Sequence, residues 1–581
     1  MNGLDWTVLV LTLLGIVLYG LYKSRASRNL EGYFLSNRSA PWWLVLLSIM
    51  GTQASAITFL SGPGQAFADG MRFVQYYFGL PLAMIVICIT FVPLFNRSRV
   101  ITAYEFLEQR FDERTRLLTS FLFLLQRGLS TGISIYAPTI ILCTLFGWSV
   151  FWTNILMGGL LIIYTVAGGA RAVAYTQKLQ LFIIFAGMAL VGYWVVHLMP
   201  PGVGFSDALH VGGKLGRLNI ITSGTTEKGF NWNDRYNMWS GVIGGFFLAL
   251  SYFGTDQSQV GRYLTAQNNT ESRLGLLMNG LVKIPMQFGI LLIGVLIFVF
   301  YQFQGTPLTF DRQLTDDLRA SRYADSARLL EQQHTRIQEQ QGRNALGFTR
   351  WAERPGSDSF RYYSAELKSG QEAARAGRSR YQAWSKELTG NDHNDTNYVF
   401  LSFVQSWLPA GLRGLLIAVI FLAAWGSIAA ALNALAASTV VDFHKRLRPT
   451  ASGEDDYKLS KAYTLAWGLF SIVVAQTAHR LGQSLIETVN ILGSLFYGVI
   501  LGIFLVAFYG KRIGGRAVFG AALLVEVFVI ALFFNENIPG LAFLPDVSFL
   551  WLNAIGALGV VLLALLLQAL FFSRKTGRMP R

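Results

Sequence analysis

The 581-residue sequence predicts an all-α membrane protein of about 13 transmembrane helices. Composition is the first reason: 52% hydrophobic and 14% charged residues, with a mean hydropathy of +0.41, leave too little polar surface for a water-soluble domain. Apolar runs long enough to cross roughly 30 Å of hydrocarbon are the second. They can be drawn at 5–22, 42–69, 74–95, 118–147, 149–167, 177–198, 236–254, 275–302, 399–441, 459–479, 483–509, 516–535 and 547–572. The third is charge placement, because alternate short connections carry 25 Lys and Arg on one side and 6 on the other. By the positive-inside rule the richer side is cytoplasmic, which puts the N-terminus outside and the C-terminus inside a plasma membrane. The lack of sequon-rich outer loops and disulfides points to a bacterial inner membrane. The formal charge of +15 is thus topological and not a nucleic-acid footprint.

The first span is followed by Lys23, Arg25 and Arg28 and has no small-residue cleavage site, so residues 1–41 read as a retained helix and a cytoplasmic linker. The second is interrupted by Gly51, Gly62, Pro63 and Gly64 and carries Thr52, Gln53, Ser55 and Thr58 at bilayer depth. Gly and Pro in mid-span free backbone carbonyls, which lipid tolerates only where another group or an ion takes them up. A lone Ser or Thr can instead bond the preceding turn. The expectation is a helix broken between Gly51 and Gly64 with Gln53, Ser55 and Thr58 facing a cavity.

Arg127 lies about ten residues into the span that begins near Leu118, too deep for easy snorkelling. It reads either as the group that binds a solute carboxylate or as the partner of helix carbonyls or a buried acid. Gln75 and Asn490 are further polar groups near span starts, with helix–helix hydrogen bonding as their alternative role. Lys283 and Glu526 read as structural, and Cys88 and Cys143 as buried thiols.

Residues 303–397 are unlike the rest, with 14 Lys/Arg and 13 Asp/Glu and helical patterning over 311–341 and 362–388. Long segments cross a membrane regardless of charge, so this insert is expected outside. Its aromatics, Phe348, Trp351 and Trp384 among them, predict a packed helical cap, either a solvated hairpin or a lid over the entrance.

The stretch SYFGTDQSQVGRYLTAQ, residues 251–267, reads as a turn leaving a membrane helix. Its Asp-Gln-x-x-Val-x-Arg pattern resembles the signature of the sodium:solute symporter family, and the resemblance extends over nearly the whole chain. It implies the inverted five-helix repeat of the leucine-transporter type. The first repeat would be 42–198, the second 236–509 interrupted by the insert, with an extracellular loop at 199–235 and two further helices in 510–581. It also implies a monomeric secondary transporter that carries sodium with a small polar organic solute, a sugar or a carboxylate, by alternating access, with no obligate protein partner.

On that resemblance Gln53, Ser55 and Thr58 face the solute, together with Gln75, Arg127 and Asn490. One sodium would lie among the carbonyls of Gly51, Ala54, Ala423 and Gly426 and the Ser427 hydroxyl, hard oxygen donors of the kind sodium prefers. Gly426 stands where a hydroxyl residue is usual, and Ala429 and Ala430 where members with a second sodium have serines. GGARAVAYTQKLQ, residues 168–180, resembles the family's Gly-Gly-x-x-Ala-Val-x-x-Thr-Asp-x-x-Gln, with Gln177 in place of the Asp and Lys178 after it. Loss of that charge weakens the sodium site. Lys178 then either replaces the ion as a titrating ammonium, giving proton-coupled or uncoupled transport, or snorkels to headgroups.

Other classes are not expected. No Ser/His/Asp set or metal motif occurs, and the six histidines, His197, His210, His334, His393, His444 and His479, are scattered over loops and span ends, so neither an enzyme nor an organic cofactor is predicted. Repeated pore loops for a channel are missing. Only SRKTGRMPR follows Phe572, which leaves no room for the attached kinase of a membrane sensor.

Overall fold

The computed structural model describes residues 1–23, 34–35, 38–390, 394–447, 453–478, 484–535, 538, 540–541 and 543–571. Arg25, Arg28, His393, His479 and the tail beyond residue 571 lie outside the described residues. Among those described, nine helices are long and apolar enough to cross a membrane, and Trp42–Gln53, Val150–Val166 and Ser240–Thr255 are apolar but shorter. The run expected at 459–479 falls on the helix Gly453–Ala475. A two-stranded ribbon, Thr225–Thr226 with Gly229–Phe230, is the sheet found among the described residues.

Two helices are interrupted inside the bundle. The first stops at Gln53 and resumes at Ala56, with Ser55 extended at φ −81° and ψ 170°. Ser55 N–H donates to the Gln53 carbonyl at 2.9 Å, so the Gly51 carbonyl loses the donor that a continuous helix would supply from Ser55. The sequence assigned part of this interruption to Gly62, Pro63 and Gly64, but Pro63 lies within the helix Ala56–Asp69. Those residues serve close packing instead. A Cβ on Gly64 would stand 1.9 Å from the Thr396 carbonyl oxygen, and one on Gly294 would stand 2.2 Å from that of Pro63.

The second interruption is Asp256, extended at φ −75° and ψ 119°, between Gly245–Thr255 and Gln257–Tyr263. Its carboxylate caps the shorter helix by accepting Ser258 N–H at 2.7 Å, while the Tyr104 hydroxyl takes the freed Thr255 carbonyl at 3.0 Å. Residues 255–263 are therefore not the exposed connection that the hydropathy suggested. Asp256, Gln257, Ser258, Gln259 and Arg262 are all buried, because a broken helix needs polar side chains to satisfy its own backbone.

Residues 150–197 are helical throughout, a 48-residue run where the sequence predicts two spans. The Tyr164 hydroxyl and Thr176 Oγ1 are nevertheless 2.8 Å apart, whereas a straight helix would hold them roughly 18 Å apart. The run folds back on itself, and its two arms take the places of the two spans.

The insert contains the helices Arg312–Arg319, Ala324–Trp351 and Asp358–Thr389. Its first helix ends near Ala320, whose N–H closes on Asp316, and a second starts at Ala324, so the unbroken stretch predicted over 311–341 is divided. Leu314, Leu318, Leu330 and Tyr381 form a small core of its own. The two ends of the insert clasp each other: Asp395 accepts Phe310 N–H at 2.8 Å and holds Arg378 through two bonds of 2.9 Å.

Candidate functional site

A cavity of about 120 Å³ lies between the two helix breaks. Gln53, Ser55 and Thr58 line it from the first break, Arg127 from the helix Glu113–Phe146, and Asn490 from Leu485–Tyr509. Gln53 Oε1 has no hydrogen-bond partner, so that carbonyl is available to a bound molecule. The Asn490 carbonyl already accepts the Tyr76 hydroxyl at 3.2 Å. Gln75 is not in the wall. It ties the segment around Thr222 to Tyr236 instead, donating to the Tyr236 carbonyl at 2.9 Å and accepting Thr222 N–H at 3.1 Å.

Arg127 borders the cavity, but its charge is taken. It pairs with the buried Asp256 and donates to the Tyr497 hydroxyl at 2.7 Å, while Tyr497 donates to Asp256 at 2.7 Å. Of the two roles the sequence left open, the structure shows pairing with a buried acid. Lys283, which the sequence reading passed over as structural, lines the same cavity from the helix Asn269–Gln304. It is 1% exposed. Its Nζ stands 5.6 Å from the centre of the Tyr77 ring, and no carboxylate pairs with it among the described residues. The available signal was that Lys283 is the sole charge in the run 275–302, yet periodicity could not say which face it occupied.

The candidate ion ligands meet where the first broken helix crosses Leu412–Ser438. The Gly51 carbonyl oxygen is 3.6 Å from the point a Cβ on Gly426 would occupy. Gln177 is wedged between them. Its Oε1 accepts the Ser48 hydroxyl at 3.1 Å, and its Nε2 donates to Thr52 Oγ1 at 3.3 Å and to the Gly426 carbonyl at 3.2 Å. A Cβ on Gly51 would come within 2.8 Å of the Gln177 side chain, so the fit depends on that glycine. Ser427 donates back to Ala423 at 2.9 Å and Ala424 at 3.2 Å.

Of the oxygens expected to hold sodium, the Gly426 carbonyl is engaged by the Gln177 amide and the Ala423 carbonyl by the Ser427 hydroxyl. Lys178 takes no part: it is exposed, with its Nζ 5.0 Å from the centre of the Trp43 ring, as expected of a side chain reaching for headgroups.

Polar ties close both ends of the cavity. On the face that carries the insert, Ser61 donates to Asn397 Oδ1 at 2.6 Å, Leu485 N–H donates to the same oxygen at 3.2 Å, and Ser484 donates to Gln65 at 2.9 Å. On the other face, the buried Asp442 collects Thr102 at 2.7 Å, Ser120 at 2.9 Å and two Arg116 bonds of 2.7 and 2.9 Å.

The model of the sodium:solute symporter family matches residues 33–313 and 379–525. The sodium/sialic acid symporter SiaT of Proteus mirabilis is 23% identical over 578 residues, 98% of this chain and 96% of that protein. The human sodium/iodide cotransporter is 31% identical over 312 residues, 51% of this chain; the chain spans 45% of that relative's length. A solved structure of a sodium-coupled sialic acid symporter, in a substrate-bound outward-open state, has the same fold, with a TM-score of 0.72 and 22% identity over 98% of both chains. Two helices broken around a polar cavity, in a chain matched along most of its length, are what such transport requires, and the chain belongs to the sodium:solute symporter family.

Proposed function

We propose that this protein is a sodium-coupled symporter of a small organic anion, a monocarboxylate, carried through the central cavity by alternating access. The observation behind this reading is the charge of the cavity wall. Arg127 and Asp256 neutralise each other, which leaves Lys283 as a buried cation without an acidic partner among the described residues. A buried charge of that kind is costly unless something pairs with it, and a solute carboxylate supplies the pair. Gln53, Ser55 and Thr58 offer hydrogen bonds to the rest of that solute.

Sodium coupling follows the family. The ion enters among Gly51, Ala54, Ala423, Gly426 and Ser427, at the joint between the broken helix and Leu412–Ser438, and its binding requires the Gln177 amide to leave Gly426. The test is uptake of pyruvate into proteoliposomes under an inward sodium gradient. Lys283→Gln should raise KM by roughly ten- to a hundredfold, the worth of one charge-assisted hydrogen bond of about 1.5–3 kcal/mol. Equal uptake by wild type and variant, or wild-type preference for a neutral sugar, would rule the reading out.

A further inference from the structure

A second cavity, of about 600 Å³, opens between the insert and the outer end of Ala56–Asp69. Residues 314–378, which supply much of its insert side, fall in the gap between the two stretches that match the family. Arg217, Arg375 and Arg378 converge on it, with Lys386 also in the wall and Asp395 as the acid. Asp395 is already engaged by Arg378 and Phe310 N–H.

Arg217 is 9% exposed, and its Nε has no partner. Its Nη1 donates to the Ala68 carbonyl, and its guanidinium lies 4.4 Å from the centre of the Phe298 ring. Its backbone is fixed as well. Met71 N–H donates to the Arg217 carbonyl at 2.8 Å. Gly70, at φ +74°, would place a Cβ 2.7 Å from that carbonyl, so the turn needs glycine. Burial, with Arg375 and Arg378 adding to it and Asp69 opposing, lowers the Arg217 pKa to about 10. Arg375 is exposed on the rim and has no ion pair among the described residues. Two guanidinium charges therefore face one cavity in which the acid Asp395 is taken by Arg378 and only Asp69 opposes the charge of Arg217.

We propose that this cavity is an outer binding site for a doubly charged oxyanion of the phosphate class, taken from the medium, which ties the insert to the outer half of the broken helix. Arg217 grips the Ala68 end of that half-helix and Arg375 belongs to the insert, so one dianion bonded to both joins them. The site is separate from the solute cavity and independent of what that cavity carries.

The full chain in detergent is titrated with inorganic phosphate at constant ionic strength, with chloride as balance, and its unfolding temperature is followed. Wild type should show a saturable rise, which Arg375→Gln abolishes and Arg375→Lys keeps in part. Arg375 is exposed, so these variants fold. Lys283→Ala should retain the whole response, which separates this site from the solute cavity. An equal phosphate response in wild type and Arg375→Gln would overturn the proposal, as would loss of the response in Lys283→Ala. Equal potency of acetate would overturn the assignment to a dianion.

Discussion

Arg127 and Asp256 form an ion pair across the second helix break, with the Asp256 side chain fully buried and that of Arg127 12% exposed. The same carboxylate caps Gln257–Tyr263, so the pair fixes both the charge and the geometry of the break.

Truncating one partner strands the other charge. Arg127→Ala and Asp256→Ala should each lower stability by about 3–5 kcal/mol. The double variant should lose less than the sum, because neither charge then remains unpaired. Thermal unfolding of the four proteins in detergent measures the coupling, and additive losses would show that there is none.

Sodium dependence should sharpen when the negative charge is restored. Gln177→Asp removes the amide that donates to the Gly426 carbonyl at 3.2 Å and places a carboxylate beside the ion. In a low-dielectric site a formal charge outweighs a neutral oxygen. The sodium concentration for half-maximal uptake should fall several-fold from a weak wild-type value; an unchanged value would count against the site. Gly426→Ser, which brings a Cβ to within 2.7 Å of the mobile end of Gln180, should act in the same direction more weakly.

How much of this was legible in the chain can be argued residue by residue. Apolar runs and the Asp-Gln signature sufficed for the fold class and the family, because hydrophobic length and a local motif are one-dimensional quantities. The first break falls at Ala54 and Ser55, between Gly51 and Gly64 as the polar cluster implies, but Gly and Pro mark both helix interruptions and close contacts, and only the Thr396 carbonyl beside Gly64 tells them apart. The turn at Asp256 is legible through its Asp-Gln motif, but the short buried helix after it is not, because one extended residue leaves no periodicity signal. The two roles of Arg127 stay open in the sequence, since the acid that neutralises it lies 129 positions further along the chain.

Glycine 64 offers a packing test. Gly64→Ala drives a methyl into the Thr396 backbone, with 1.9 Å available, whereas Gly62→Ala meets only the Ile290 side chain at 3.1 Å. The first should cost about 1–3 kcal/mol and the second less. Unfolding temperatures of the two variants compare them directly, and equal losses would show that the contact is not made in solution.

Acidification should loosen the insert. Burial lowers the His334 pKa below its ordinary value, the bond to Thr306 opposing and the charge of Arg378 adding. The ring Nε2 bonds the Thr306 carbonyl at 2.7 Å, and Nδ1 is buried without a partner, as suits a neutral imidazole. The unfolded segment takes up a proton near pH of about 6.5. The stability His334 contributes is therefore full above that value and lost as pH falls through the lower folded value. Protease sensitivity of residues 303–397 should rise on acidification in wild type and change little in His334→Gln; identical profiles would remove His334 as the cause.

Phe310 and Asp395 stand at the two ends of the insert and share a hydrogen bond of 2.8 Å. Chain entry and exit are thus side by side, and the loop-closure cost of whatever lies between them grows only slowly with its length. The insert is nevertheless packed on the membrane helix Asn269–Gln304, where Gln341 donates to Gln302 Oε1 at 3.2 Å, so the port for an antibody epitope or a fluorescent domain is its far turn at Gly356, where an added side chain meets open space.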